Sequence, residues 1–98
     1  MEIAGLWNLT LHTPMGVQRA VLDLHEDNGV LTGTVTHKER KITAEIYDGK
    51  ASGDHLQWKS TMKLMPVTLT FNVTVDGDKM NGTVKTAMMG EFAVIGER

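Results

Sequence analysis

No cysteine occurs among the 98 residues. That absence removes a disulfide framework, a thiolate metal site and a cysteine nucleophile. Neither sign of charge dominates: 10 Lys and Arg face 12 Asp and Glu, a net charge of −2. A basic footprint for nucleic acid is missing, and so is an acidic tail. Aromatic residues are few, two Trp, one Tyr and two Phe, and too scattered to form a stacking platform for bases. No apolar run is long enough for a membrane span or a signal-peptide core, so the expectation is a soluble, cytoplasmic chain. Serine occurs only at Ser52 and Ser60. Neither lies in a Gly-x-Ser-x-Gly nucleophile elbow, and phosphate-cradling loops are also lacking. A chain of this length holds one core, hence a single domain over 1–98.

What is present is alternation. Trp7, Leu9 and Leu11 alternate with Asn8, Thr10 and His12, and Leu69, Phe71, Val73 and Val75 alternate with Thr68, Thr70, Asn72 and Thr74. Period two with abundant Thr and Val marks half-buried strands. No helical period is sustained. Turn signals recur at Thr13–Gly16, Asp27–Gly29, His37–Arg40, Ser52–Asp54, Leu64–Pro66, Asp76–Asp78 and Ala87–Gly90. They divide the chain into eight strands, at 4–12, 17–26, 30–37, 41–52, 55–64, 67–75, 79–87 and 91–98. Asp48-Gly49 falls inside the fourth and reads as a bulge. Connections of hairpin length predict an up-and-down antiparallel meander. The chain also repeats itself. Trp7-Asn8-Leu9-Thr10, a Pro-Met turn and Asp27-Asn28-Gly29 through Val35 are echoed by Trp58-Lys59-Ser60-Thr61, Met65-Pro66 and Asp76-Gly77-Asp78 through Val84. Two four-stranded halves satisfy their free edges by closing on each other. The expected fold is therefore all-β, a single eight-stranded antiparallel barrel built as an internal duplication.

Alternating direction gathers Met15, Met65, Met88 and Met89 at one rim, the open end. The other end carries the tight Asp/Asn/Gly hairpins. Rim methionines either plug a barrel or form an adaptable mouth for an apolar ligand. Trp7 belongs at the closed end, with Arg98 reaching across its face as a cation–π plug. Gly5-x-Trp7 on the first strand with a basic residue at the end of the last resembles the calycin pattern of lipocalins, fatty-acid-binding proteins and avidins. More closely, the chain resembles small bacterial lipocalin-like barrels. It does so through Gly5-x-Trp7, Thr13-Pro14-Met15-Gly16, Leu31-Thr32-Gly33-Thr34-Val35, Asp48-Gly49-x-x-x-Gly53-Asp54, Val75-Asp76-Gly77-Asp78 and Gly82-Thr83-Val84-Lys85. The chain is shorter than a true lipocalin and lacks its helix. The resemblance implies the barrel fold and leaves function open. Trp7 and Arg98 are read as structural.

Parity points Gly33 and Gly82 inward, where a missing side chain either relieves crowding or opens a cavity. If it opens one, the lining is Trp58, Ser60, Met62, Phe71, Val84, Thr86, Met88 and Phe92, with Met15, Met65 and His37 at the mouth. That is an apolar pocket with a few neutral polar groups, the usual make-up of a small-ligand site. His12, His25, His37 and His55 are not spaced as metal ligands. Asp23, Glu26 and Glu45 face outward, so paired-carboxylate chemistry is unsupported. No metal and no cofactor is expected. Leu6, Val17, Val21, Ala93 and Ile95 point outward on strands that closure makes neighbours, a patch suited to a homodimer. Non-enzymatic binding of a small hydrophobic or amphipathic molecule is the leading expectation. An accessory module with a filled core, and a cavity enzyme of cyclase or isomerase type, remain open.

Overall fold

The computed structural model describes residues 3–62 and 67–98, with Met62 described by its backbone alone. Its strands are β1 (Gly5–Thr13), β2 (Gly16–Asp27), β3 (Val30–His37), β4 (Thr43–Ser52), β5 (His55–Met62), β6 (Val67–Asp76), β7 (Lys79–Thr86) and β8 (Gly90–Glu97). Each pairs antiparallel with the next, and β8 pairs with β1 through the register Asn8↔Glu97 to His12↔Ala93. The sheet is thus a closed up-and-down barrel, as alternation and turn spacing predict, with no helix among the described residues. Closure removes both free edges that a meander of this kind would otherwise expose.

Period two sets the faces. Leu9, Leu22, Leu24, Leu31, Leu56, Val73, Val75, Met80, Val84 and Val94 point inward and are buried, while their chain neighbours face solvent. Burying such side chains contributes roughly 1.5–3 kcal/mol each. The expected bulge is present: the β4–β5 register shifts between Tyr47 and Lys50, and Asp48 takes φ 51°. The extra residue bends β4 around the barrel.

Gly33 and Gly82 are explained by crowding. A Cβ at Gly82 would collide with the Asn72 carbonyl and lie 2.6 Å from the Val73 Cα. One at Gly33 would strike the Asp23 carbonyl, on a backbone with φ 140°. Neighbouring backbone fills the space that the missing side chains leave, so neither glycine opens a cavity.

The closed end is plugged as the sequence implies. The Arg98 guanidinium carbon lies 4.4 Å from the centroid of the Trp7 ring. Arg98 also donates to the Ala4 carbonyl at 3.1 Å and to Asp78 at 3.3 Å. The Trp7 indole N–H donates to the Ile3 carbonyl at 2.9 Å. Ile3, buried with this cluster, precedes the first strand and has no alternating neighbour to reveal it.

Candidate functional site: the open-end cavity

Three turns of the open end lie among the described residues, and two are built alike. Thr13 Oγ1 donates to the Gly16 carbonyl at 2.6 Å and accepts from the Met15 N–H at 3.2 Å. Thr86 Oγ1 donates to the Gly90 carbonyl at 3.3 Å and accepts from the Met89 N–H at 2.8 Å. In each, a threonine hydroxyl replaces a ladder partner where the strand ends, and a methionine is held at the rim. In the third turn, His37 Nδ1 accepts from the Arg40 N–H at 3.1 Å, and His37 Nε2 lies 2.6 Å from Gln18 Oε1. An acceptor role for Nδ1 leaves the proton on Nε2, which donates to Gln18.

Inside these turns lies a cavity of about 370 Å³. Its walls are Leu11 and Ala20 from β1 and β2, Val35 and Ala44 from β3 and β4, Leu69 and Phe71 from β6, and Phe92 from β8. Met15, Met89, Gln18, His37, Arg19 and Arg40 stand around the mouth. Its floor is the layer beneath. There Trp58 stacks on Phe71 with ring centroids 5.0 Å apart and planes 15° from parallel. Val35, Ile42, Ala44 and Leu69, inward residues that remain partly exposed, line this space. Among the described residues, the barrel is therefore packed at its closed end and leaves a cavity at its open end.

The structure brings Ser60, Phe71, Phe92, Met15 and His37 of the expected lining to the cavity. Trp58 and Val84 are fully buried in the packed layer below it. Thr86 is committed to its turn. Met88 is 70% exposed and points away, and its neighbour Met89 takes the rim position instead. Met65 and the side chain of Met62 lie outside the described residues. Missed in the sequence as lining residues were Leu11, Thr13, Gln18, Arg19, Ala20, Val35, Arg40, Ile42, Ala44, Val67 and Leu69. The available signal was size. Ala20, Ala44 and Ser60 are small inward residues near the open end, whereas Leu22, Ile46 and Trp58 fill the same faces one layer deeper.

Electrostatically the cavity is simple. No carboxylate of the described residues lines it, and the lining side chains of fixed charge are the two arginines at the mouth. Among the described residues, no group of three or more His, Asp or Glu is arranged to hold a metal. The titratable group that clearly departs from its ordinary range, among the described residues, lies on the outer wall. Hydrogen bonds from Thr61 and then Thr68 hold the Tyr47 phenol below its usual range. One buried polar side-chain atom among the described residues is unsatisfied: the fully buried Trp58 Nε1–H meets no acceptor, whereas Ser60, 3% exposed, turns its side chain to the cavity. An unmade hydrogen bond of this kind costs about 1–3 kcal/mol.

A second concavity, about 380 Å³, lies outside the barrel over the β4 bulge and is lined by Asp48, Lys50, Gln57 and Lys59. It is a solvated groove between charged side chains. On the opposite wall Leu6, Val17 and Ile95 are exposed, Ala93 lies beside them and Val21 is half-buried. Cross-strand neighbours Thr10, His12 and Arg19 interrupt this apolar set.

No family model matches the sequence. No curated protein matches it either. Among solved structures, the chain is similar to a redesigned β-barrel, b11L5F_LGL, with TM-score 0.80 and 12% identity over 98% of this chain and 90% of that one. It is also similar to the redesigned β-barrel mFAP1, bound to DFHBI, with TM-score 0.78 and 16% identity over 98% of this chain and 94% of that one. At these identities the likeness shows the fold. No helix among the described residues is long and apolar enough to cross a membrane.

Proposed function

We propose that the protein binds a small hydrophobic or amphipathic molecule in the open-end cavity. The observation that carries this reading is an unfilled, apolar space of about 370 Å³ with polar groups confined to the mouth and to Ser60. Volume and lining match those of small-molecule sites, and such a space accepts roughly a dozen non-hydrogen atoms. Methionines at the rim suit a mouth that re-packs around differently shaped guests. A barrel of similar fold that is bound to DFHBI supports the same reading. Binding is favoured over turnover because no carboxylate lines the cavity and the Ser60 hydroxyl has no basic partner.

The test is uptake of an environment-sensitive apolar dye. Saturation near one dye per barrel, with displacement by small lipophilic molecules, is the expected result. Ala44→Trp places a large ring in the cavity from a strand position that tolerates aromatic residues. It should weaken dye binding by at least about tenfold while leaving the far-ultraviolet dichroism unchanged. No saturable uptake by the native chain would refute the proposal and favour a barrel that acts through its outer surface.

A further inference from the structure

Charge is unevenly placed around the open end. The turn from β3 to β4 carries Lys38, Glu39, Arg40 and Lys41, and Arg19 of β2 lies beside it, its carbonyl accepting from the Lys38 N–H at 3.0 Å. This arc holds four of the chain's 10 Lys and Arg against one carboxylate, a local charge of +3 in a chain of net charge −2. Among the described residues, none of these four cations is in an ion pair, whereas Lys59, Lys79 and Arg98 each face an aspartate or glutamate. Glu39 approaches His37 Nδ1 at 3.5 Å. Arg19 and Arg40 are the two that line the cavity, and no carboxylate of the described residues lines it with them. The turn itself is fixed. The Lys41 N–H donates to the His37 carbonyl and the His37 N–H to the Ile42 carbonyl, each at 2.8 Å, and the Arg40 N–H donates to His37 Nδ1 at 3.1 Å. Arg40 is thus presented at the mouth by a pinned backbone, and Arg19 by a strand.

Resting on the cavity reading above, we infer that the ligand is a small amphipathic anion, with its apolar body in the cavity and its oxyanion head at the mouth against Arg19 and Arg40. Guanidinium groups without a carboxylate partner present forked donors that match a carboxylate or a phosphate. Their position decides the orientation. The walls of Leu11, Val35, Leu69, Phe71 and Phe92 hold no counter-charge, so the head stays in contact with water and the body enters first. The two phenylalanines suit a flat aromatic body. A surplus of positive charge at the rim of an apolar cleft also draws anions to it and repels cations. An exposed ion pair contributes little by itself. What the arc supplies is therefore selectivity among ligands of one shape, while the apolar walls supply most of the affinity.

Three probes share a naphthalene body and differ in charge: 1-naphthoate, 1-naphthalenemethanol and 1-naphthylmethylammonium. Calorimetric titration at about pH 7.5 keeps the acid ionised and the amine protonated. The expected order is naphthoate tightest, by about tenfold over the alcohol, with the ammonium weakest, and added salt should narrow the gap. Arg19→Gln combined with Arg40→Gln should remove the preference for naphthoate. Lys50→Gln combined with Lys59→Gln takes the same charge from the outer groove over the β4 bulge and should leave the preference in place. If naphthoate and the alcohol bind the native chain alike, the anion site is overturned while the cavity reading stands. The same holds if the arginine variant keeps its preference, or if the lysine variant loses as much. If neither a naphthalene probe nor the apolar dye binds, the cavity reading falls and this inference falls with it.

Discussion

Gly82→Ala is expected to lower the melting temperature by roughly 15 °C or more. The added methyl would lie on β7 against the Asn72 carbonyl and the Val73 Cα of β6. Both obstacles are backbone held in the ladder, so no side chain can swing aside. Relief requires β6 and β7 to separate around the pair Val73↔Gly82, and barrel closure distributes that displacement to both neighbours. Overpacking against a rigid wall costs about 3 kcal/mol or more, a large part of the roughly 5–15 kcal/mol that holds a small domain folded. A control isolates the cause. At Gly77, in the closed-end turn, φ is 61° and an added Cβ meets nothing within 4 Å. Gly77→Asn adds a larger side chain, but asparagine tolerates this left-handed conformation. Its melting temperature should stay within about 5 °C of the native value. Thermal unfolding followed by circular dichroism measures both. A Gly82→Ala chain as stable as the native one would show that the two strands are not in the close register described.

Trp7→Ala should be about as damaging, and for a different reason. Trp7 is fully buried at the closed end, beneath the Arg98 guanidinium and bonded to the Ile3 carbonyl. Removing the ring deletes the largest side chain of that layer and leaves a cavity, a cost of about 3–5 kcal/mol. It also unseats Arg98, whose cation–π contact is worth roughly 1 kcal/mol. The expected melting-temperature loss is roughly 20 °C. Arg98→Met keeps a long apolar stem over the ring and removes the charge, so its loss should be about 5 °C. Position in the barrel makes a second outcome predictable. Trp7 and the ligand cavity lie at opposite ends, and no cavity-lining residue is a closed-end plug residue. Below its melting temperature Trp7→Ala should therefore bind the apolar dye with affinity close to native. A large loss of affinity in the cold, folded variant would mean that the two ends are coupled.

The opposite assignment holds for Ala44. Its replacement by Trp is expected to weaken uptake by at least about tenfold at little cost in stability, because the added ring enters the cavity. Together, Trp7 and Ala44 separate what holds the barrel closed from what leaves it open.

The amino-acid sequence by itself determined the strands, their order and their faces. Period two is a local property: Leu69, Phe71, Val73 and Val75 must share one side of a strand wherever that strand lies. Short turns at Asp27–Gly29, Ser52–Asp54 and Asp76–Asp78 leave antiparallel neighbours as the economical arrangement, and the need to cover two free edges closes the ring. The Trp7–Arg98 plug was legible for the same reason, since closure makes the first and last strands neighbours.

Depth was decided only by the tertiary structure. Alternation says that Ser60, Trp58 and Val84 point inward, but not how far along the axis each one sits relative to side chains from the opposite wall. That depends on the stagger of strands around the barrel, the bulge at Asp48 and the close approach permitted by Gly33 and Gly82. These place Trp58 and Val84 in the packed layer, and Ala20, Ala44 and Ser60 around the unfilled one. The choice of Met89 over Met88 at the rim follows likewise from the turn that Thr86 pins, not from parity. A cavity is space that no residue fills, and it is defined only once all eight strands are in place around it.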